Sequence, residues 1–281
     1  MKNTITVSNL TKYYADFLAV DNISFTIEKG TIVGFVGKNG AGKSTTIRSI
    51  LNFISPSNGS CCVLGLDSIS QSKKMRNIVG YMPSDANFPP NITSRELFAF
   101  CSSIAHVGIE ESLKLAEYFE LDTSKPISQL SLGNRKKVSI IQLLLKKNDV
   151  LILDEPTSGL DPLMQERFFD LLLKEKEKGV TIFLSSHNLV EIERYCDRAL
   201  IIKDGKIIDD IDMNNSIIKR SQVVSFTTKD GAEHSFEYSE DANDLIQKLS
   251  TYDLLHVEIK NKSVEDEFIK YYKEESESEV S

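Results

Sequence analysis

The chain has 281 residues, 41% of them hydrophobic and 26% charged, which is ordinary for a folded globular protein. Its 33 basic and 41 acidic residues give a net charge of −8, which argues against a protein whose main task is to coat nucleic acid. No apolar run approaches the roughly 20 residues that span a bilayer, and the first residues lack a signal-peptide core, so we expect a cytosolic chain unless a partner tethers it.

Short strands organise the first third of the chain. Residues 46–51 predict a helix, and Ser55–Gly59 has the composition of a loop. The segments that alternate or are wholly apolar, and are therefore predicted as strands, are Thr4–Val7, Ser24–Ile27, Ile32–Val36, Cys61–Leu64 and Val79–Met82.

The segment between the third strand and the first helix matches the P-loop pattern of a glycine, four free positions and then Gly-Lys-Ser. Its residues are Gly37, Lys38, Asn39, Gly40, Ala41, Gly42, Lys43, Ser44 and Thr45. Small residues let backbone N–H groups curl around a phosphate, and the following helix adds a partial positive charge. Since Lys43 can reach the terminal phosphates and Ser44 can hold Mg²⁺, the segment predicts a nucleotide site.

A helical block follows and is predicted as an insert over residues 87–147. Thr93 to Glu96 has the form of a capping box. Helices are predicted from there, over Ile109–Phe119 and over Gly133–Lys147.

Strand patterns then return. Asp149–Leu153, Thr181–Ser185 and Ala199–Lys203 predict strands, and Pro162–Lys178 predicts a helix that starts at a proline and ends at a glycine. Strands that alternate with helices indicate an α/β domain with a largely parallel sheet.

Two carboxylates follow the strand at 149–153. Asp154 is placed to reach Mg²⁺ directly or through water, and Glu155 can polarise an attacking water as a general base. The alternative, a strand that ends in two solvated acids, carries little weight downstream of a P-loop.

Beyond residue 210 the pattern predicts a small α+β appendage over 211–273. Val223–Thr228 and Glu233–Tyr238 flank a hairpin turn at Asp230-Gly231. A helix over Asp241–Leu249, a strand over Leu255–Ile259 and a helix over Val264–Tyr272 follow. The acidic tail, 274–281, is predicted to be disordered.

Five motifs occur in the order found in an ABC ATPase. They are the P-loop, Leu130–Asn134, Leu153–Pro156, Ser158–Asp161 and Ser185–His187. The chain thus resembles the ATP-binding subunit of ABC transporters from residue 4 to about 210. The resemblance implies a P-loop NTPase core over 1–210, with a mainly parallel sheet, an N-terminal antiparallel β subdomain and the helical subdomain inserted at 87–147.

The resemblance also implies that ATP and Mg²⁺ are bound, with two ATP molecules held between two cassettes that face head to tail. Ser131 and Gly133 would contact the γ-phosphate bound by the other subunit. His187 would bond the γ-phosphate of its own site and orient Glu155, and Asp161 would lie at the dimer seam.

Tyr14 resembles the aromatic residue that stacks on adenine in this family. Tyr13 is the alternative, and ordinary surface packing is a third interpretation. The other histidines and the four cysteines match no motif and are interpreted as structural.

Three positions depart from the family pattern. Ser84 stands where a glutamine that senses Mg²⁺ and the transport channel is usual, and serine is too short to copy its reach without a bridging water. Asp85, the next residue, is a candidate to replace it. Leu132 stands in place of glycine and Asn134 in place of glutamine.

Gly133–Lys137 and Val257–Ile259 resemble segments of bacterial drug- and peptide-exporting ABC systems. We therefore expect an exporter ATPase at the cytoplasmic face of the membrane, partnered by a permease on a separate chain and a second ATPase subunit, with no nucleic acid. The alternatives are an importer subunit, a soluble ABC ATPase of translation or DNA metabolism, and a nucleotide-binding regulator without turnover.

Overall fold

The computed structural model describes residues 3–85, 87–213, 222–239 and 241–261. It divides into two compact units. One contains residues 3–188 and 195–211, and the other contains residues 189–194 and the described residues from 212 onward.

The first unit begins with an antiparallel sheet of four strands in the order β2-β1-β4-β5. The strands are β1 (Asn3–Tyr14), β2 (Phe17–Glu28), β4 (Asn58–Val63) and β5 (Leu66–Asp67). The predicted loop at Ser55–Gly59 is wrong at its end, because β4 already begins at Asn58. Gly59 has a φ of 85°, and a Cβ there would lie 2.3 Å from the carbonyl oxygen of Asn9, so the strand needs glycine to pass the irregular part of β1.

A six-stranded sheet forms the centre of the first unit, in the order β10-β9-β3-β8-β7-β6. Neighbours from β9 to β6 are parallel, which confirms the α/β class. Every residue of β3, β7 and β8 is buried, as expected for strands covered on both faces. The strands are β3 (Ile32–Val36), β6 (Val79–Met82), β7 (Val150–Asp154), β8 (Thr181–Ser186), β9 (Arg198–Lys203) and β10 (Lys206–Asp212).

The two sheets share one hydrophobic core. Phe25 of β2 packs against Phe35 of β3 and Phe183 of β8, with ring centroids 6.0 and 5.7 Å apart. This packing fixes the β1–β2 hairpin against the central sheet.

Helices account for most of the remaining chain in this unit. The helices that flank the strands are α1 (Lys43–Ile50), α2 (Ser72–Ile78), α6 (Pro162–Glu177) and α7 (Leu189–Tyr195), of which α7 lies mostly in the second unit. Three more, α3 (Ser94–Ala105), α4 (Ile109–Tyr118) and α5 (Leu132–Leu145), pack on one another. The capping box is confirmed, because Thr93 and Glu96 bond each other's backbone N–H groups at 3.2 and 2.8 Å.

The second unit contains a three-stranded antiparallel sheet in the order β12-β11-β13. Its elements are β11 (Gln222–Thr228), β12 (Glu233–Tyr238), α8 (Ala242–Leu249) and β13 (Leu254–Asn261). Leu245 and Leu249 of α8 pack with Val224 and Phe226 of β11. The predicted helix at 264–272 and the tail at 274–281 lie outside the described residues.

Within the described ranges, none of the helices has both the length and the apolar character that crossing a bilayer requires.

Candidate functional site

The turn between β3 and α1 is held close to neighbouring backbone. Gly42 has a φ of 107°, and a Cβ at this position would lie 2.7 Å from the carbonyl oxygen of Ala19. A Cβ at Gly37 would lie 2.4 Å from the carbonyl oxygen of Ile202. Both positions therefore require glycine, and they fix the path of the loop whose N–H groups are available to a phosphate.

Lys43 is the first residue of α1, and its side chain is only 5% exposed. Its Nζ donates to the carbonyl oxygens of Gly37 and Lys38 at 2.6 and 3.1 Å. The same atom lies 3.3 Å from Oε1 of Glu155. The P-loop lysine and the predicted base are thus brought together from residues far apart in sequence.

Asp154 ends β7 and is fully buried, in register with Ser185 of β8. Ser185 Oγ donates to Asp154 Oδ1 at 2.7 Å and accepts from the backbone N–H of Glu155 at 3.0 Å. Asp154 Oδ2 is buried and has no hydrogen-bond partner in the described part of the chain. A buried carboxylate oxygen of this kind is suited to a cation or a water bound to one.

Glu155 is the first residue after β7 and has a φ of 48°, in the left-handed region. Its Oε2 lies 2.6 Å from Nδ1 of His187, and because a carboxylate only accepts, the imidazole is the donor. Glu155 is 16% exposed and His187 60% exposed. Each carboxylate oxygen of Glu155 therefore has its own partner, Lys43 on one side and His187 on the other.

Gly42, Lys43 and Glu155 line a cleft of about 290 Å³, whereas Asp154 and His187 are not among its lining residues. Tyr14 and Phe17, a cross-strand pair at the end of the β1–β2 hairpin, are 43% and 64% exposed and form its apolar wall. The full set of lining residues is Tyr14, Phe17, Ala19, Asn39, Gly40, Gly42, Lys43, Ser44, Thr45 and Glu155. Tyr13, the alternative aromatic residue, is not among them.

The residues predicted to act on the second subunit do not line this cleft. Ser131 is the exposed N-cap of α5 and accepts from the N–H of Asn134 at 3.3 Å. A Cβ at Gly133 would lie 2.6 Å from the carbonyl oxygen of Gly159, so the start of α5 packs directly on that loop. Asp161, also exposed, is the N-cap of α6. The exposed N-caps Ser131 and Asp161 thus flank the contact at which the half-buried Gly133 packs on the loop of Gly159.

The segment after β6 is tied to α5 by a buried lysine. Lys136 is 4% exposed, and its Nζ donates to the carbonyl oxygen of Ser84 at 2.8 Å. Burial lowers the pKa of Lys136, while Asp85, Asp154 and Glu155 oppose that shift. Ser84, Asp85 and Lys136 line a separate cavity of about 500 Å³.

Comparisons with known proteins agree with this geometry. Residues 20–158 match the family model of ABC transporters. The chain is 34% identical over 236 residues to the bacitracin transport ATP-binding protein BcrA of Bacillus licheniformis, across 82% of this chain and 76% of BcrA. The chain belongs to the ABC transporter ATP-binding proteins.

Two further similarities support this assignment. The probable multidrug ABC transporter ATP-binding protein YbhF of Escherichia coli K12 is 35% identical over 213 residues, which cover 74% of this chain but only 37% of YbhF. The solved structure of an ATP-binding subunit of an ABC transporter superposes with a TM-score of 0.69 at 28% identity, covering 77% of this chain and 92% of the other.

Proteins of this family bind and hydrolyse ATP, so this ABC ATPase is an enzyme that converts ATP and water to ADP and phosphate. ATP-binding subunits of this family work with membrane permeases. A solved cassette of the same fold, MJ0796, is a dimer bound to ADP and Pi. The described residues contain no group of three or more histidines, cysteines or acids suited to a metal. Mg²⁺ needs no such group, since it is commonly held by one or two protein oxygens, phosphates and water.

Sequence reasoning missed three features of the ABC ATPase site. Phe17 could have been found as the residue paired with Tyr14 across a short hairpin. Ser185 was noted only as part of a motif, although its position at the end of a buried strand signalled a link to Asp154. Lys136 carried no sequence signal, because its burial depends on how α5 packs.

Proposed function

We propose that this ABC ATPase powers the export of peptides, antibiotics or other amphipathic or hydrophobic compounds. It would act at the cytoplasmic face of the membrane with a permease on a separate chain and a second ATPase subunit. Support comes from the relatives, one named for bacitracin transport and one for multidrug transport, and from the segment Gly133–Lys137.

The observation that carries the hydrolytic part is the arrangement around Glu155. The P-loop N–H groups and Lys43 would bind the β- and γ-phosphates, and Tyr14 or Phe17 would stack on the adenine. Ser44 and Asp154 would hold Mg²⁺, which supplies charge neutralisation at the phosphates when bound.

Glu155 would accept a proton from the attacking water. His187 Nδ1 holds one carboxylate oxygen at 2.6 Å, and because both ring nitrogens donate in an imidazolium, we assign Nε2 of the charged ring as a donor to the γ-phosphate. A triphosphate would compete with Glu155 for the ammonium of Lys43, now 3.3 Å from Oε1. Nucleotide binding would thereby release one carboxylate oxygen for water.

The second half of each site would come from the partner subunit. Ser131 and Asp161 are exposed, Gly133 lies half-buried in the first turn of α5, and a helix N-terminus favours an anion. We assign these residues to the γ-phosphate held by the other copy and to the dimer seam.

A groove of about 720 Å³ between α3 and α5 is the candidate docking site for a cytoplasmic helix of the permease. Phe100 and Ile104, one turn apart on α3, are 65% and 64% exposed and form its apolar side. An amphipathic helix that lays its apolar face into such a groove is a common mode of recognition.

The test is co-purification of the full chain with the permease encoded beside it, before and after Phe100→Glu and Ile104→Glu. We expect the wild type to co-purify and both variants to lose the permease, because a charge would be buried in the groove. Ile69→Glu, at an exposed isoleucine outside the groove, is the matched control and should retain it.

The cargo is tested by measuring ATP hydrolysis of the reconstituted complex with a cationic cyclic peptide, a hydrophobic drug and a sugar. Stimulation by the first two alone supports the proposal. Failure of the wild-type chain to associate with any membrane protein would contradict the proposed role in export.

A further inference from the structure

Lys136 is unusual in being both charged and almost fully buried. Lysine is rarely buried unless it is paired, since removing an ammonium from water is costly. Among the residues that the structure describes, Nζ of Lys136 makes one hydrogen bond, to the carbonyl oxygen of Ser84 at 2.8 Å, while an ammonium carries three donors. The remaining positive charge is therefore available to groups farther away.

Three carboxylates act on that charge. They are Asp85, beside Ser84, and the two site residues Asp154 and Glu155. The first belongs to the segment that follows β6, and the other two to the end of β7. Since Met82 of β6 lies opposite Leu153 of β7, the segment that the ammonium bonds and the two site carboxylates leave the same edge of the parallel sheet.

The backbone of Lys136 adds a third connection. It lies on α5, about one and a half turns after Ser131. The segment at Ser84 and Asp85 lines the cavity of about 500 Å³. Through Lys136, a displacement of this segment would be transmitted both to the carboxylates and to α5, the helix that begins after Ser131.

We propose that Lys136 is a positioning residue for hydrolysis, whose ammonium couples the backbone of Ser84 to the carboxylates of Asp154 and Glu155. This inference rests on the proposed roles of those two residues. The side chain of Ser84 is too short to reach the site, and in our proposal Lys136 of α5 makes the connection in its place. Asp85 contributes charge to the same link.

The test compares Lys136→Met, Lys136→Arg and the control Lys114→Met, an exposed lysine of α4, in steady-state ATP hydrolysis by the full chain. Methionine keeps the length and removes the charge, so we expect kcat to fall about 10- to 100-fold with little change in KM. Arginine keeps the charge and the donors and should recover much of the loss. The control should match the wild type.

A merely structural role would give a different result. Because a buried charge contributes little net stability, the free energy of unfolding of Lys136→Met should not fall. Asp85→Asn, an exposed change, offers a second route if Lys136→Met does not fold. It should lower kcat both in the wild type and in Lys136→Arg, because both keep the positive charge on which Asp85 acts, and unchanged kcat in both would contradict the proposal.

Glu155→Gln is measured in parallel to distinguish a failure of the proposed catalytic site from a failure of the role assigned to Lys136. If it retains wild-type turnover, the proposed site is wrong. If it loses turnover while Lys136→Met stays within about a factor of two of the wild type, only the role of Lys136 is overturned.

Discussion

At the residue scale, one serine forms hydrogen bonds with both carboxylate residues of the site. Ser185 Oγ donates to Asp154 and accepts from the N–H of Glu155, so it fixes the end of β7 and the start of the following turn together. Lys43 and His187 then hold the two oxygens of Glu155. The position of the base is therefore set from both its backbone and its side chain.

Replacing Glu155 by glutamine keeps the shape and removes the basic oxygen. We expect kcat for ATP hydrolysis to fall about 10²- to 10⁴-fold, the usual contribution of a general base, while ATP is still bound. The measurement pairs steady-state hydrolysis with fluorescence titration of a labelled ATP. Glu177→Gln, at an exposed glutamate of α6, is the control, and equal rates for Glu155→Gln and the wild type would remove our assignment of the base.

Ser185→Ala tests the bridge itself. It leaves the N–H of Glu155 and one oxygen of Asp154 without their partner, so we expect the free energy of unfolding in urea to drop by about 1–3 kcal/mol and hydrolysis to slow. Ser49→Ala is the matched control, because the buried hydroxyl of Ser49 bonds only the carbonyl of Thr45 in its own helix. Similar losses in both variants would contradict a special role for Ser185.

At the element scale, α3 owes its start to the capping box of Thr93 and Glu96. The N–H and hydroxyl of Thr93 both donate to Oε2 of Glu96, at 2.8 and 2.9 Å. These bonds lower the pKa of Glu96 below its ordinary value of 4.5. The first turn of the helix that carries Phe100 and Ile104 is therefore sensitive to acid.

Glu96→Gln should reveal that sensitivity. A lowered pKa in the folded state means that ionised Glu96 stabilises the fold at pH values above 4.5, and that this stability is lost as the pH falls through the folded-state pKa. The wild type should thus exceed the variant in urea midpoint near neutral pH and converge with it in acid. In a Thr93→Ala background the difference should shrink, and a gap that persisted at low pH would exclude the ionic cause.

The elements themselves were largely predictable, and the failures have physical reasons. Buried strands such as β3 and β7 are predictable because they are apolar runs with clear ends. The start of α3 is predictable from the capping box at Thr93. In the short helix α2 and the strand β10, the periodic alternation of apolar and polar residues is too weak to predict either element. Residues 58–59 have loop composition, yet they pair with β1 because glycine tolerates the close approach.

At the scale of the whole molecule, the P-loop half of the site was predictable and the links between segments were not. Local spacing predicts roles for Lys43, Asp154 and Glu155, whereas a role for His187 is implied only by the family resemblance. The ammonium of Lys136 reaches Ser84 across 52 residues of sequence, and no local pattern encodes such a contact. Tyr14 was found by resemblance, whereas Phe17 needed the hairpin register.

The proposed pairing of two copies leads to a prediction that mixing two variants can test. A chain with Ser131→Arg is expected to be inactive, and so is one with Lys43→Ala, but their heterodimer would keep one intact site made of the first chain's P-loop and the second chain's α5. Mixing the two should therefore restore ATP hydrolysis. The control mixes Lys43→Ala with Glu155→Gln, whose heterodimer has no intact site, and recovery there or failure of the first mixture would contradict the shared site.

The left-handed backbone of Glu155 has an evolutionary consequence. A residue with a Cβ costs about 1–2 kcal/mol in that conformation, whereas glycine adopts it freely. Backbone preference alone thus favours replacing Glu155, the residue that we propose as the general base. Selection or laboratory screening for thermal robustness, applied without a demand for turnover, will tend to enrich well-folded but catalytically silent chains altered at this position.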